Sequence, residues 1–244
     1  MTDDIKIRVQ DVWIRFNMAS ERIDNFKEYM IKLLKRQLLF KEFLALKGIT
    51  FDVKAGESWG FVGTNGSGKS TLLKTICGIL KPYKGSVQIN GTISPLIELG
   101  AGFDGNMTAR ENVFLNGAVL GYSEKFIKEK FDEIIDFAEL RDFLDVPIKN
   151  FSSGMAARLG FAIATTVKPD ILICDEVLAV GDFKFQEKCE QRMNELLSGG
   201  TTLLFVSHSI DQVKRMCKKA IWIDHGEMKM IGSAEEVCNA YSNS

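Results

Sequence analysis

Gly63-Thr64-Asn65-Gly66-Ser67-Gly68-Lys69-Ser70-Thr71 limits what this chain can fold into more than any other stretch. It fits G-x-x-x-x-G-K-[ST], preceded by the apolar run WGFV and followed by helical spacing. Glycines let the backbone curl with its N–H groups turned inward, making a nest for an anion. A helix starting here adds the partial positive charge of its N-terminus. Lys69 can then reach terminal phosphates, and the Ser70 hydroxyl is placed for a divalent cation. A Gly-rich turn matching by chance would lack the strand before it and the helix after it. The stretch predicts a nucleotide-binding loop.

A second acidic site follows. ILICDE is an apolar strand ending in Asp175 and Glu176, and strand alternation sends adjacent side chains opposite ways. Asp175 would hold Mg²⁺ through water, while Glu176 would orient or deprotonate an attacking water. A solvated strand-to-loop junction is the plainer alternative for this pair alone. The next apolar strand, TTLLFVSH, ends in His208, either an edge residue or a donor to a terminal phosphate.

Around these motifs the chain alternates strand and helix. Ile5 to Phe16 reads as a strand, LKGITFDVKAGES as a hairpin, WGFVG as a buried strand, residues 69–80 as a helix and SVQING as a short strand. Residues 105–147 look mainly helical. After Pro169 the order is strand, helix, strand, helix, strand, through AIWIDHG. Such alternation implies an α/β core with a largely parallel sheet. Between the first strand and the hairpin, residues 22–41 carry six basic side chains against two acidic ones, with apolar residues at helical spacing. This is expected to be a basic amphipathic helix, suited to anionic headgroups or pyrophosphate, or else an ordinary surface helix.

Composition excludes several classes. With 31 Lys and Arg against 32 Asp and Glu, the chain lacks the basic excess of a dedicated nucleic-acid binder. No apolar run approaches the ~20 residues that span a bilayer, and MTDDIKIRVQ has no signal-peptide core. A soluble intracellular protein is expected. Five cysteines at long, irregular spacings fit neither a disulfide framework nor a zinc motif, and Cys174 reads as a small core residue.

In order and spacing, the phosphate loop, FSSGMAARLGFAIA, ILICDE and SH resemble the ATP-binding cassette (ABC) ATPases over nearly the whole chain. The resemblance implies a P-loop ABC cassette with a RecA-like core, an antiparallel β-subdomain and a helical subdomain. Residues 1–104 and 159–244 would form the ATPase core with the β-subdomain, and 105–158 the helical subdomain ending in the signature. The signature, usually Leu-Ser-Gly-Gly-Gln, reads Phe151-Ser152-Ser153-Gly154-Met155 here. Ser152, Ser153 and Gly154 would contact the ATP held by a second copy, so the cassette should act as a homodimer. Asp182 in AVGD matches the D-loop that crosses that interface. Phe16 matches the aromatic that stacks on adenine, although it also reads as a core residue. The Q-loop glutamine is absent, and Glu98 is the nearest polar candidate for its Mg²⁺ role.

FSSGM followed by AxRLxFA, ISPLIELGAGFDGNMTARENV and DEVLAVGDFKFQEKC are similar to the ATPases of bacterial exporters for O-antigen, capsular polysaccharide and teichoic acid. That resemblance makes residues 22–41 a gate helix near a lipid-linked polysaccharide. It implies ATP and Mg²⁺, two copies of an integral membrane permease, a peripheral place on the cytoplasmic face of the inner membrane, and no C-terminal carbohydrate-binding domain. A soluble cassette working on ribosomes or DNA would instead bring a second cassette or long coiled coils, and a phosphate-loop kinase would leave the signature unexplained.

Overall fold

The computed structural model describes residues 4–19, 40–96, 99–100, 102–175, 181–207 and 209–244. Two sheets form its frame. In the smaller, β1 (Ile5–Ala19) pairs antiparallel with β2 (Phe40–Lys54) on one edge and β4 (Lys84–Ile89) on the other. Ile7 and Val9 point inward, and so do Val12 and Ile14, one position out of strict alternation. The irregularity lies at Asp11, whose φ of 45° and register shift insert a bulge. Its carboxylate accepts from Trp13 Nε1 at 2.7 Å, which holds the bulge closed.

The larger sheet has the order β5-β6-β7-β3-β8-β9. Its strands are β3 (Ser58–Val62), β5 (Ile93–Leu96), β6 (Ile171–Asp175), β7 (Thr202–Val206), β8 (Lys219–Asp224) and β9 (Glu227–Ser233). Neighbours are parallel except β8 and β9. Both faces are covered, which is why ILIC and LLFV are unbroken apolar runs. Alternate residues serve opposite sides. Leu172, Cys174, Leu203 and Phe205 pack toward α5 (Phe183–Ser198) and α7 (Ala234–Ser242), whereas Ile171, Ile173, Leu204 and Val206 pack toward α1 (Lys69–Ile76) and the small sheet. Cys174 is fully buried, as expected of a core residue. A third apolar cluster joins α2 (Ala109–Val119), α3 (Glu124–Ala138) and α4 (Ser153–Ala164). α4 also sends Phe161 into the sheet core, so the expected boundary at 158 falls inside a helix shared by both units. The short α6 (Ile210–Met216) precedes β8.

Several local expectations are corrected. The stretch 46–58 is no hairpin: β2 pairs with β1, and β3 lies parallel between β7 and β8 in the other sheet. Gly56, at φ 72°, merely carries the chain across. The helix from Lys69 stops at Ile76, because Gly78 turns left-handed and Ile79 and Leu80 both donate to the Lys74 carbonyl. The first strand runs on to Ala19, and positions 40–41, expected to be helical, begin β2. Residues 22–39 of the expected amphipathic helix lie outside the described residues. β5, β9 and α7 were not foreseen.

Candidate functional site

The phosphate loop joins β3 to α1, and each glycine there answers a different demand. At Gly63, φ 150°, a Cβ would sit 2.1 Å from the Ile223 carbonyl oxygen. At Gly68, φ 112°, it would meet the Ala45 carbonyl oxygen at 2.8 Å. Gly66, φ 77°, faces open space and needs only its left-handed backbone. Lys69, buried to 7% exposure, donates to the carbonyls of Gly63 at 2.8 Å and Thr64 at 2.9 Å, which holds its ammonium across the loop. Ser67 Oγ is buried with no hydrogen-bond partner among the described residues. α1 begins without a side-chain cap and without an acid in its first turn, leaving its N-terminal amides to an anion.

A cleft of about 340 Å³ opens over this loop. Asn65, Gly66, Gly68, Lys69, Ser70 and Thr71 form one side, and Phe16, Phe43 and Ala45 the other. One wall is cationic and rich in N–H donors while the other is aromatic. A nucleotide, with phosphates at one end and a flat base at the other, matches both. Phe16 is 38% exposed on β1 and lines the cleft, so it is not a core residue.

Asp175 closes β6 in register with Val206, which is itself paired with Phe61 of β3. The acid therefore stands at the carboxyl edge of the parallel sheet, the same edge as the phosphate loop, where open α/β sheets bind ligands. Ser70, exposed, and Asp175, half-buried, are hard oxygen donors of the kind Mg²⁺ takes, so the residues present fit that ion. Glu98, Glu176 and His208 lie outside the described residues.

The signature residues stand elsewhere. Ser152 caps α4 by accepting from Met155 N–H at 3.2 Å, and a Cβ on Gly154 would lie 3.8 Å from Ser152 Oγ, an ordinary contact. Asp182 caps α5 by accepting from Phe185 N–H at 3.0 Å, and it pairs with Arg158 at 3.0 Å. The Phe185 amide, with the charges of Arg158 and Lys184, holds the Asp182 carboxyl below its ordinary value. None of Ser152, Ser153, Gly154 and Asp182 lines the cleft over the phosphate loop. Phe43 and Ala45 do line it and were missed, since nothing local in their sequence reveals how β2 is registered against β1.

The chain is similar to known proteins in sequence and in fold. The ABC transporter family model matches residues 46–179. An O-antigen export system ATP-binding protein RfbB of Klebsiella pneumoniae is 45% identical over 82% of either chain. A teichoic acids export ATP-binding protein TagH of Listeria monocytogenes is 42% identical over 99% of this chain and 71% of its own length. In fold, the ATP-binding cassette MJ0796, in a dimeric post-hydrolysis state bound to ADP and Pi, superposes with a TM-score of 0.74 at 23% identity, over 93% of this chain and 98% of that one. With a phosphate loop, a carboxylate at the same sheet edge and a capped signature helix on one frame, and with relatives this similar, the chain belongs to the ABC transporter family.

Proposed function

We propose that this chain hydrolyses ATP to drive export of a lipid-linked polysaccharide across the cytoplasmic membrane, as the peripheral cassette of a transporter. The 45% identity to an O-antigen export ATP-binding protein, spanning 82% of either chain, carries the proposal. No helix among the described residues is long and apolar enough to cross a membrane. The pore would belong to a permease, two copies of which would bind a homodimer of this chain.

Phe16 receives the base, and the loop from Gly63 to Thr71 wraps the phosphates, with Lys69 neutralising their charge. Ser70 and Asp175 would hold Mg²⁺, which draws charge from the phosphate oxygens when bound. Because Ser152, Ser153, Gly154 and Asp182 stand away from their own chain's cleft, they are free to complete the cleft of a second copy. That division makes ATP the glue of the dimer. Glu176 orients the attacking water, His208 donates to the terminal phosphate, and Glu98 stands in for the Q-loop glutamine. Residues 22–41 meet the anionic substrate. Closure on ATP and reopening after hydrolysis work the permease.

Glu176→Gln should keep ATP binding and lower turnover by a factor on the order of 10² to 10⁴. Near-normal turnover would remove Glu176 from this role. Mild-detergent extraction of native membranes, with mass spectrometry of what co-purifies, tests the transport claim. A multi-span permease with lipid-linked glycan is expected, whereas ribosomal or chromosomal partners would refute export.

A further inference from the structure

Two phenylalanines stand side by side at the edge of the nucleotide cleft. Phe16 on β1 and Phe43 on β2 are directly opposite in the antiparallel register, so both occupy one face of the ribbon with Cβ atoms about 5 Å apart. Both remain open to solvent, 38% and 45% respectively.

The backbone ties Phe43 to the phosphate loop. Arg15 pairs with Leu44 and Ile14 with Leu46, which leaves Ala45 as an extra, bulged residue. The Ala45 carbonyl oxygen lies so near Gly68 and Gly226 that a Cβ on either would approach it to 2.8 or 2.6 Å. Two residues further on, Lys47 N–H donates to the Gly226 carbonyl at 2.8 Å, and Gly226 N–H donates to that of Ser67 at 2.9 Å. The same backbone links that run into the phosphate loop therefore fix the strand that carries Phe43. Ala45 adds only a methyl to the cleft, leaving room between the rings and the loop.

We propose that Phe43 is a second aromatic wall of the base site, so that the purine contacts both rings while its phosphates lie on the loop. This rests on the nucleotide-binding reading above and deepens it. Two hydrocarbon rings read a flat π-surface and ignore the pattern of groups on the base's edge, so adenine and guanine nucleotides should gain alike.

Calorimetric binding of ATP, GTP and inorganic tripolyphosphate to the full chain tests this, alongside Phe43→Ala and Phe43→Tyr. Phe43→Ala should weaken ATP and GTP about tenfold and leave tripolyphosphate within about twofold, and Phe43→Tyr should restore the loss. In turnover, KM should rise more than kcat falls. Unchanged ATP affinity in Phe43→Ala, or an equal loss for tripolyphosphate, overturns the proposal. If the alanine variant does not fold, Phe43→Trp decides: its fluorescence should respond to ATP and ignore tripolyphosphate, and no response to ATP refutes the contact. A wild-type chain that binds no ATP would sink the nucleotide reading itself, an outcome distinct from a failure confined to Phe43.

Discussion

Gly63 and Gly66 sit three residues apart in one loop, yet a methyl group would do different things to them. At Gly66 it meets nothing within 4 Å, so Gly66→Ala carries only the left-handed backbone cost, about 1 kcal/mol. At Gly63 it would collide with the Ile223 carbonyl oxygen at 2.1 Å, and backbone gives way far less than a side chain does. Gly63→Ala should lose about 3 kcal/mol in urea unfolding, together with ATP binding. Equal midpoints for the two variants would contradict this account. Cys77 shows the same dependence on surroundings: burial pushes its thiol up to about 11, so it stays protonated at neutral pH and is a poor nucleophile.

At the level of elements, α4 is anchored both at its cap and at its middle. Ser152 caps the helix, and further along Arg158 bridges Glu139 at the end of α3 and Asp182 at the start of α5, both at 3.0 Å. Its guanidinium also lies over the Phe185 ring at 4.6 Å. α4 is thereby pinned to the end of α3 and the start of α5. Ser152→Ala should lose about 1 kcal/mol through the missing cap. Ser152→Asp separates the cap from the contact proposed with a second copy's ATP. Aspartate caps as well as serine, so stability should return in thermal melts, while a carboxylate facing the phosphates of a second copy should keep ATP hydrolysis low. Recovery of hydrolysis along with stability would show that the cap is the whole of the serine's role.

Across the whole molecule, Asp170 joins the two sheets. It accepts from the Thr92 amide and hydroxyl, each at 2.9 Å, just before β5, and from Lys6 on β1 at 3.2 Å. The Thr92 bonds first, and then Lys6, hold its carboxyl down at about 2. A depressed carboxylate stabilises the fold fully above its unfolded value, near 3.9, and the gain vanishes as pH falls through the folded one. The melting temperature of wild type should therefore exceed that of Asp170→Asn by a constant margin above about pH 5, and the margin should close toward pH 2. A margin that persists at pH 2 would mean that Asp170 acts through something other than its charge.

The phosphate loop, the buried strands β3, β6 and β7, and the helices after them were legible in the sequence because their causes are local. Glycine is needed where φ is positive, a strand covered on both faces is apolar throughout, and a capping serine lies beside the helix it starts. The roles that family motifs give Ser152, Gly154, Asp182 and Phe16 remain proposals, and Glu98, Glu176 and His208 rest on the sequence alone. The false hairpin at 46–58 failed for the opposite reason. Its strand takes a partner more than thirty residues away, and no turn signal reports such a pairing. The same register, shifted by one at Ala45, brings Phe43 opposite Phe16 and both beside Lys69. Composition and motif determined that this chain binds phosphate on an α/β frame. Only the tertiary structure decided which aromatic rings line the cleft beside that loop, because strand register is set by apolar faces that find each other after the chain has closed.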